Sequence, residues 1–159
     1  MIRRSSHGVR RQAGFTLIEV MIAILVLGVG LLGFALLQTM SVRFTKSAQQ
    51  RTVATNLAYE VIDLMRIQRS DPGLGAYNSI TYASFGDVDA GACDRAAAAT
   101  AAANIERWKC EVKTALPDGA ANVQLQGDGS VTVSVRWGDS HWEEDNDDVN
   151  TTFTVSTRI

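Results

Sequence analysis

The chain reads as an α+β protein: one long N-terminal helix, then a small head of one or two helices and an antiparallel sheet. Three observations carry that reading. Val20 to Leu37 is an uncharged run of 18 residues. An amphipathic pattern follows it, with no glycine or proline between residues 34 and 71. Farther on, two alternating segments flank Gly127-Asp128-Gly129, which is a hairpin signal.

The apolar run is long enough to cross a membrane. Phe15 to Leu37 comprises 23 residues, and a bilayer core of ~30 Å takes about 20 helical residues. The residues before it carry Arg3, Arg4, Arg10 and Arg11 without an acid, and the nearest cations beyond it are Arg43 and Lys46. That bias predicts a cytoplasmic N-terminus and an exported remainder. A secretory signal is the rival reading, because Gly33-Phe34-Ala35 weakly resembles a small-x-small cleavage site. The length of the run and the acid at its start count against it.

Glu19 is that acid. An ionisable side chain in a spanning helix costs roughly 2.5–3.5 kcal/mol near the bilayer centre, less near the end, and normally has a partner. No cation lies within the following twenty residues, so no i+4 partner exists in the helix. A cut between Gly14 and Phe15 supplies one, the new α-amino group of Phe15. It lies one turn away in the same molecule, and an amine on a neighbouring subunit is an equivalent partner. The plainer alternative is a carboxylate resting at the headgroup boundary.

Gly14-Phe15-Thr16-Leu17-Ile18-Glu19 resembles the class III signal of type IV pilins and type II secretion pseudopilins. The resemblance implies that prepilin peptidase cuts after Gly14 and methylates the amine of Phe15, and that Glu19 is the assembly carboxylate. The continuation Leu27-Gly28-Val29-Gly30-Leu31-Leu32-Gly33-Phe34 resembles the minor pilins called type IV pilus modification protein PilV, over roughly residues 8–70. It implies a structural subunit without catalysis or cofactor, held in the inner membrane before it enters the pilus. The implied partners are prepilin peptidase, other minor and major pilins, and a tip adhesin. Major pilins commonly carry a proline in this helix, and none occurs here before Pro72. A type II secretion pseudopilin shares the same motif, and a membrane-anchored binding or enzymatic head is the reading from another class.

The expected divisions are a leader over 1–14, a spine helix over 15–70 (spanning over 15–37) and an exported head over 71–159. Within the spanning part, Gly28, Gly30 and Gly33 each cost ~0.8–1 kcal/mol against alanine in water. They read either as a segment able to extend in a filament or as ordinary glycine tolerance in a membrane. Beyond it, Phe44, Ala48, Leu57, Ala58, Val61, Leu64 and Met65 recur largely at helical spacing, with Arg43, Lys46, Asn56, Glu60, Asp63 and Arg69 between them. Ser70-Asp71-Pro72-Gly73 stops the pattern. A helix over 15–69 is about 80 Å long, more than a bilayer needs, so its outer half is expected to dock on the head.

The head opens with residues 71–92, whose Gly, Ser, Asp and Tyr content predicts irregular loop. The alanine tract Ala96–Ala103 predicts helix, continued by Ala101, Ile105, Trp108 and Val112 at helical spacing and closed by Pro117-Asp118-Gly119. Strands are expected over Asn122–Gln126, Ser130–Trp137 and Thr151–Arg158. In the second, Val131, Val133, Val135 and Trp137 alternate with Thr132, Ser134 and Arg136.

Cys93 and Cys110 are the only two cysteines. In an oxidising compartment such a pair usually bridges, contributing about 3 kcal/mol in the chain-entropy account. One straight helix over 94–116 would hold them about 25 Å apart, so a bridge requires a break near Thr100 or at Asn104. Two buried free thiols, or a bond to a partner, are the alternatives.

Other chemistry is sparse. His7 and His141 are the only histidines, too few for a zinc site or a catalytic triad with them. Asp139, Glu143, Glu144, Asp145, Asp147 and Asp148 crowd one connection but lack the EF-hand order and its glycine. They read as a solvated acidic loop or a contact for a basic partner; Trp142 among them is either a core plug or a contact residue. Without the four leader arginines the chain has 11 cations against 17 acids, a balance of −6. Nucleic acid is therefore not an expected partner.

Overall fold

The computed structural model describes residues 14–70, 72–93, 100–138 and 150–159. The leader arginines, Asp71, Ala96–Ala99, and the acidic connection with His141 and Trp142 lie outside those residues. The chain forms two compact units, Met1–Arg43 and Phe44–Ile159.

Helix α1 runs from Leu17 to Ile67. From Val20 to Leu37 it is apolar on every side and exposed, Val20 at 47% and Leu37 at 66%. A helix apolar all round needs an apolar surrounding. Among the described residues, α1 is the one helix long and apolar enough to cross a membrane. Its C-terminus ends two residues before the expected position 69. There Gln68 and Arg69 donate to the carbonyls of Leu64 and Arg66, tightening the last turn ahead of Pro72.

In the second unit α1 changes character. Ala54, Leu57, Ala58, Val61, Ile62 and Met65 are buried along one stripe. Of the residues expected on it, Leu57, Ala58, Val61 and Met65 are buried and Leu64 half-buried, whereas Phe44 and Ala48 are exposed because burial on α1 begins only at Gln50. The buried stripe shares a core with helix α2 (Ala101–Ala115) and a three-stranded sheet. Helix and antiparallel sheet around one core make the fold α+β, as expected.

The segment between α1 and α2 corrects the expectation of an irregular loop. Pro72–Ser79 and Tyr82–Phe85 are 3-10 helices. Leu74, Tyr77 and Ile80 recur every third residue, the period of a 3-10 helix, and Tyr77 and Ile80 are fully buried. Gly, Ser and Asn mask that period in composition, because they score as turn formers whatever their neighbours do.

Helix α2 begins where Thr100 caps it. The Ala103 N–H donates to Thr100 Oγ1 at 3.3 Å, satisfying one of the donors a helix start leaves open. Ala101, Ile105, Trp108 and Val112 form its buried face. Trp108 is the joint between α2 and α1: its indole Nε1 donates to the Leu57 carbonyl at 2.9 Å, and its ring meets Phe85 edge-on at 6.4 Å. The helix closes through Asp118, at φ 49°, into Gly119, where a β-carbon would run into the Val112 carbonyl.

Arg107 makes a second, polar joint. It pairs with Glu60 of α1 at 3.1 Å and with Glu111 at 3.6 Å. Burial, and then the charge of Glu111, raise the Glu60 carboxyl above its ordinary value of 4.5, while Arg107 opposes the shift. Between 4.5 and the raised value, folded chains hold a proton that unfolded chains release, so stability falls as pH rises through that window. Melting temperature measured against pH is expected to show this fall, and Glu60→Gln is expected to flatten it. Asp128, lowered by its bonds from Ser130, acts only below its ordinary 3.8, outside that window.

The sheet is a meander of β1 (Ala120–Leu125), β2 (Ser130–Gly138) and β3 (Asn150–Arg158), all antiparallel, in that order. The anticipated hairpin forms: Gly129 takes φ 82°, and Asp128 Oδ1 accepts from the Ser130 N–H at 2.9 Å. Val123 faces Val133, which faces Val155, and Val135 faces Phe153. Val131, Val133, Val135 and Trp137 are all buried, the alternation expected for β2.

Candidate functional site: the start of helix α1

Residues 14–16 precede the helix in non-helical backbone. Gly14 is exposed, with no atom near the place where its side chain would be, and Phe15 is 83% exposed. The Gly14–Phe15 bond therefore lies in an accessible segment, the state an endopeptidase needs.

The helix starts at Leu17 because Thr16 caps it. Thr16 Oγ1 accepts the Glu19 N–H at 3.4 Å, and the Thr16 carbonyl accepts from the N–H groups of Glu19 and Val20 at 3.1 and 3.3 Å. Thr16 and Glu19 occupy the N-cap and N3 positions of the Ser/Thr-x-x-Glu start signal. Phe15 and Val20 line the same shallow groove on the helix, the pairing of a hydrophobic staple. Thr16 is the residue missed in reading the sequence, and the x-x-Glu spacing was its available signal.

Glu19 lies in that groove with Phe15, Val20, Ala23, Ile24 and Leu27, the one charged group among five apolar ones. It forms no ion pair with any described residue. Phe15 and Glu19, four apart, fall on one side of the chain. As an acid in the first turn, Glu19 also faces the positive end of the helix dipole. That term is worth about 0.3–1 kcal/mol, short of the ~2.5–3.5 kcal/mol that lipid exacts near its centre. A cation is still wanted.

The cysteines lie in the second unit. Cys93 and Cys110 are bridged, their Cα atoms 5.6 Å apart. With α2 starting only at Ala101, Cys110 sits in its third turn, and the straight helix that would have separated the pair does not occur among the described residues. The bridge closes a separation of 17 residues, so replacing both cysteines by serine is expected to cost about 3 kcal/mol in denaturant unfolding. Among the described residues, no group of three or more His, Cys, Asp or Glu side chains is placed to hold a metal ion.

No curated protein and no solved structure matches the chain. Residues 9–35 match the family described as the prokaryotic N-terminal methylation motif. The match brackets Gly14, Phe15, Thr16 and Glu19 and most of the apolar run. With the exposed apolar helix, it makes this a single-pass membrane-anchored protein carrying a type IV pilin-like prepilin signal, the signal of pilins and pseudopilins processed by prepilin peptidase.

Proposed function

We propose that the chain is a minor pilin of a type IV pilus, cut after Gly14, methylated on Phe15 and built into the filament through Glu19. The observation that carries this reading is Glu19 itself: a carboxylate in an apolar groove with no ion pair to any described residue, one turn past an accessible Gly-Phe bond inside a methylation motif.

The steps follow from the chemistry of the chain. The basic leader and the apolar helix insert the protein with its head outside the cytoplasm. Hydrolysis at Gly14–Phe15 removes residues 1–14 and creates an amine at the helix start. Methylation leaves that amine basic, so it remains a cation. Glu19 of one subunit pairs with the amine of another, and the apolar faces of the spines pack together. The carboxylate thereby leaves lipid as half of an ion pair, and assembly gains what solitary insertion costs. The role is structural. The PilV-like run Leu27–Phe34 supports a place among the minor pilins that start assembly, alongside other minor and major pilins and a tip adhesin.

Deleting the gene and probing sheared filaments with an antibody to the head tests this reading. The expected result is the chain present in wild-type pili and a reduced number of pili without it. Normal piliation together with a block in protein secretion would instead make it a pseudopilin.

A further inference from the structure

The two edges of the sheet are treated differently. On the β1 edge several outward groups are paired: the Val123 N–H donates to the Ile80 carbonyl at 3.0 Å. Asn78 covers the end of that edge, accepting the Leu125 N–H at 2.6 Å and donating to the Leu125 carbonyl at 3.3 Å. On the β3 edge nothing comparable occurs among the described residues. The Ile159 N–H donates to the Gly129 carbonyl, on the β2 side. Because backbone groups alternate along a strand, those of residues 157, 155 and 153 also face β2. Those of Thr152, Thr154, Ser156 and Arg158 face outward, and no described residue pairs with them.

Edge strands are normally protected by lysine, proline, a bulge or a cover. β3 reads Asn-Thr-Thr-Phe-Thr-Val-Ser-Thr-Arg, is paired to β2 without a bulge, and contains neither lysine nor proline. Its one charge, Arg158, is bonded to the Asp128 carbonyl at 2.9 and 3.1 Å. On its core side, Phe153 and Val155 are only half-buried, whereas Val135 and Val133, their neighbours on β2, are fully buried. The core row thus stops one strand short of closure. On the other side the hydroxyls of Thr132–Ser156 and Ser134–Thr154 meet at 2.9 Å, a ladder that a further strand would extend.

We infer that the outer edge of β3 is a strand-addition site for an extended segment of a different subunit. Only an extended backbone offers donors and acceptors at the alternation of Thr152, Thr154, Ser156 and Arg158. The neutrality of β3 and the ladder define that segment's chemistry: uncharged, with β-branched apolar residues on the core side and Ser or Thr on the other. A second copy of this chain is a poor occupant. Antiparallel pairing of β3 with itself needs a two-fold axis normal to the sheet. α1 packs on the inner face of the sheet, where Arg66 donates to Thr157 at 3.2 Å. That axis would run the stretches of α1 that lie on the two sheets in opposite directions, whereas the head-to-tail contacts that build a filament repeat in one sense. The inference rests on the filament reading above.

The test uses the full-length chain in piliated cells. Thr154→Lys places a charge on the edge, and Thr154→Pro removes an outward N–H that the ladder to β2 does not use. Gln124→Lys, on the exposed face of β1, is the control. Incorporation into sheared filaments, relative to the membrane pool, is expected to fall roughly fivefold or more in both Thr154 variants. It should stay at the wild-type level in the control, with melting of the detergent-solubilised Thr154→Lys chain unchanged. A photo-crosslinking residue at 154 should yield an adduct with another pilin. Wild-type incorporation of Thr154→Lys, or an adduct only with a second copy or with lipid, would overturn the inference. Absence of the wild-type chain from filaments would fail the filament reading instead.

Discussion

Glu19→Ala is expected to abolish, or reduce by more than about tenfold, the entry of this chain into filaments while leaving its membrane level unchanged. Removing the carboxylate makes solitary insertion in lipid easier, because the cost of the charge disappears. The same change removes the attraction between a subunit's acid and its neighbour's amine. Glu19→Gln separates these effects, since it keeps the shape and loses the charge, and it is expected to fail like alanine. Cutting at Gly14 should persist in both variants, because the bond lies outside the helix that Thr16 caps. A quantitative blot of membrane and sheared fractions reads all of this. A helix used only as an anchor would tolerate both changes.

The second large effect concerns the head. Trp108 is fully buried, packs edge-on against Phe85 and holds the Leu57 carbonyl of α1. Trp108→Ala is expected to cost about 3–5 kcal/mol, a large part of a small domain's stability. Trp108→Phe keeps much of the apolar area and loses the indole N–H, so about 1–3 kcal/mol is expected from the unsatisfied carbonyl and the lost volume. Denaturant unfolding of the detergent-solubilised chain distinguishes them. A phenylalanine variant as stable as the wild type would show that packing alone, and not the bond to α1, makes this joint.

Much of this is legible in the sequence. The run Val20–Leu37 and the stripe from Leu57 to Met65 each follow a helical rule, one apolar all round and one periodic. Valines 131, 133 and 135 announce a half-buried strand by their spacing of two. Gly14, Phe15 and Glu19 stand out because a lone acid in an apolar run demands a reason. What escaped notice follows rules of shorter range. Leu74, Tyr77 and Ile80 keep a period of three amid turn formers. The cap by Thr16 is hidden by the more conspicuous Glu19 beside it. The cover that Asn78 and Ile80 give to β1 depends on tertiary contacts between residues more than 40 apart, and nothing local specifies it.

Intact mass and N-terminal sequence of the chain purified from membranes of cells that possess prepilin peptidase address the central claim most directly. The account predicts a chain that begins at Phe15 and is heavier by one CH2, for the methyl that replaces a hydrogen, than residues 15–159 with the Cys93–Cys110 bridge closed. A membrane-resident chain that still begins at Met1 would contradict it.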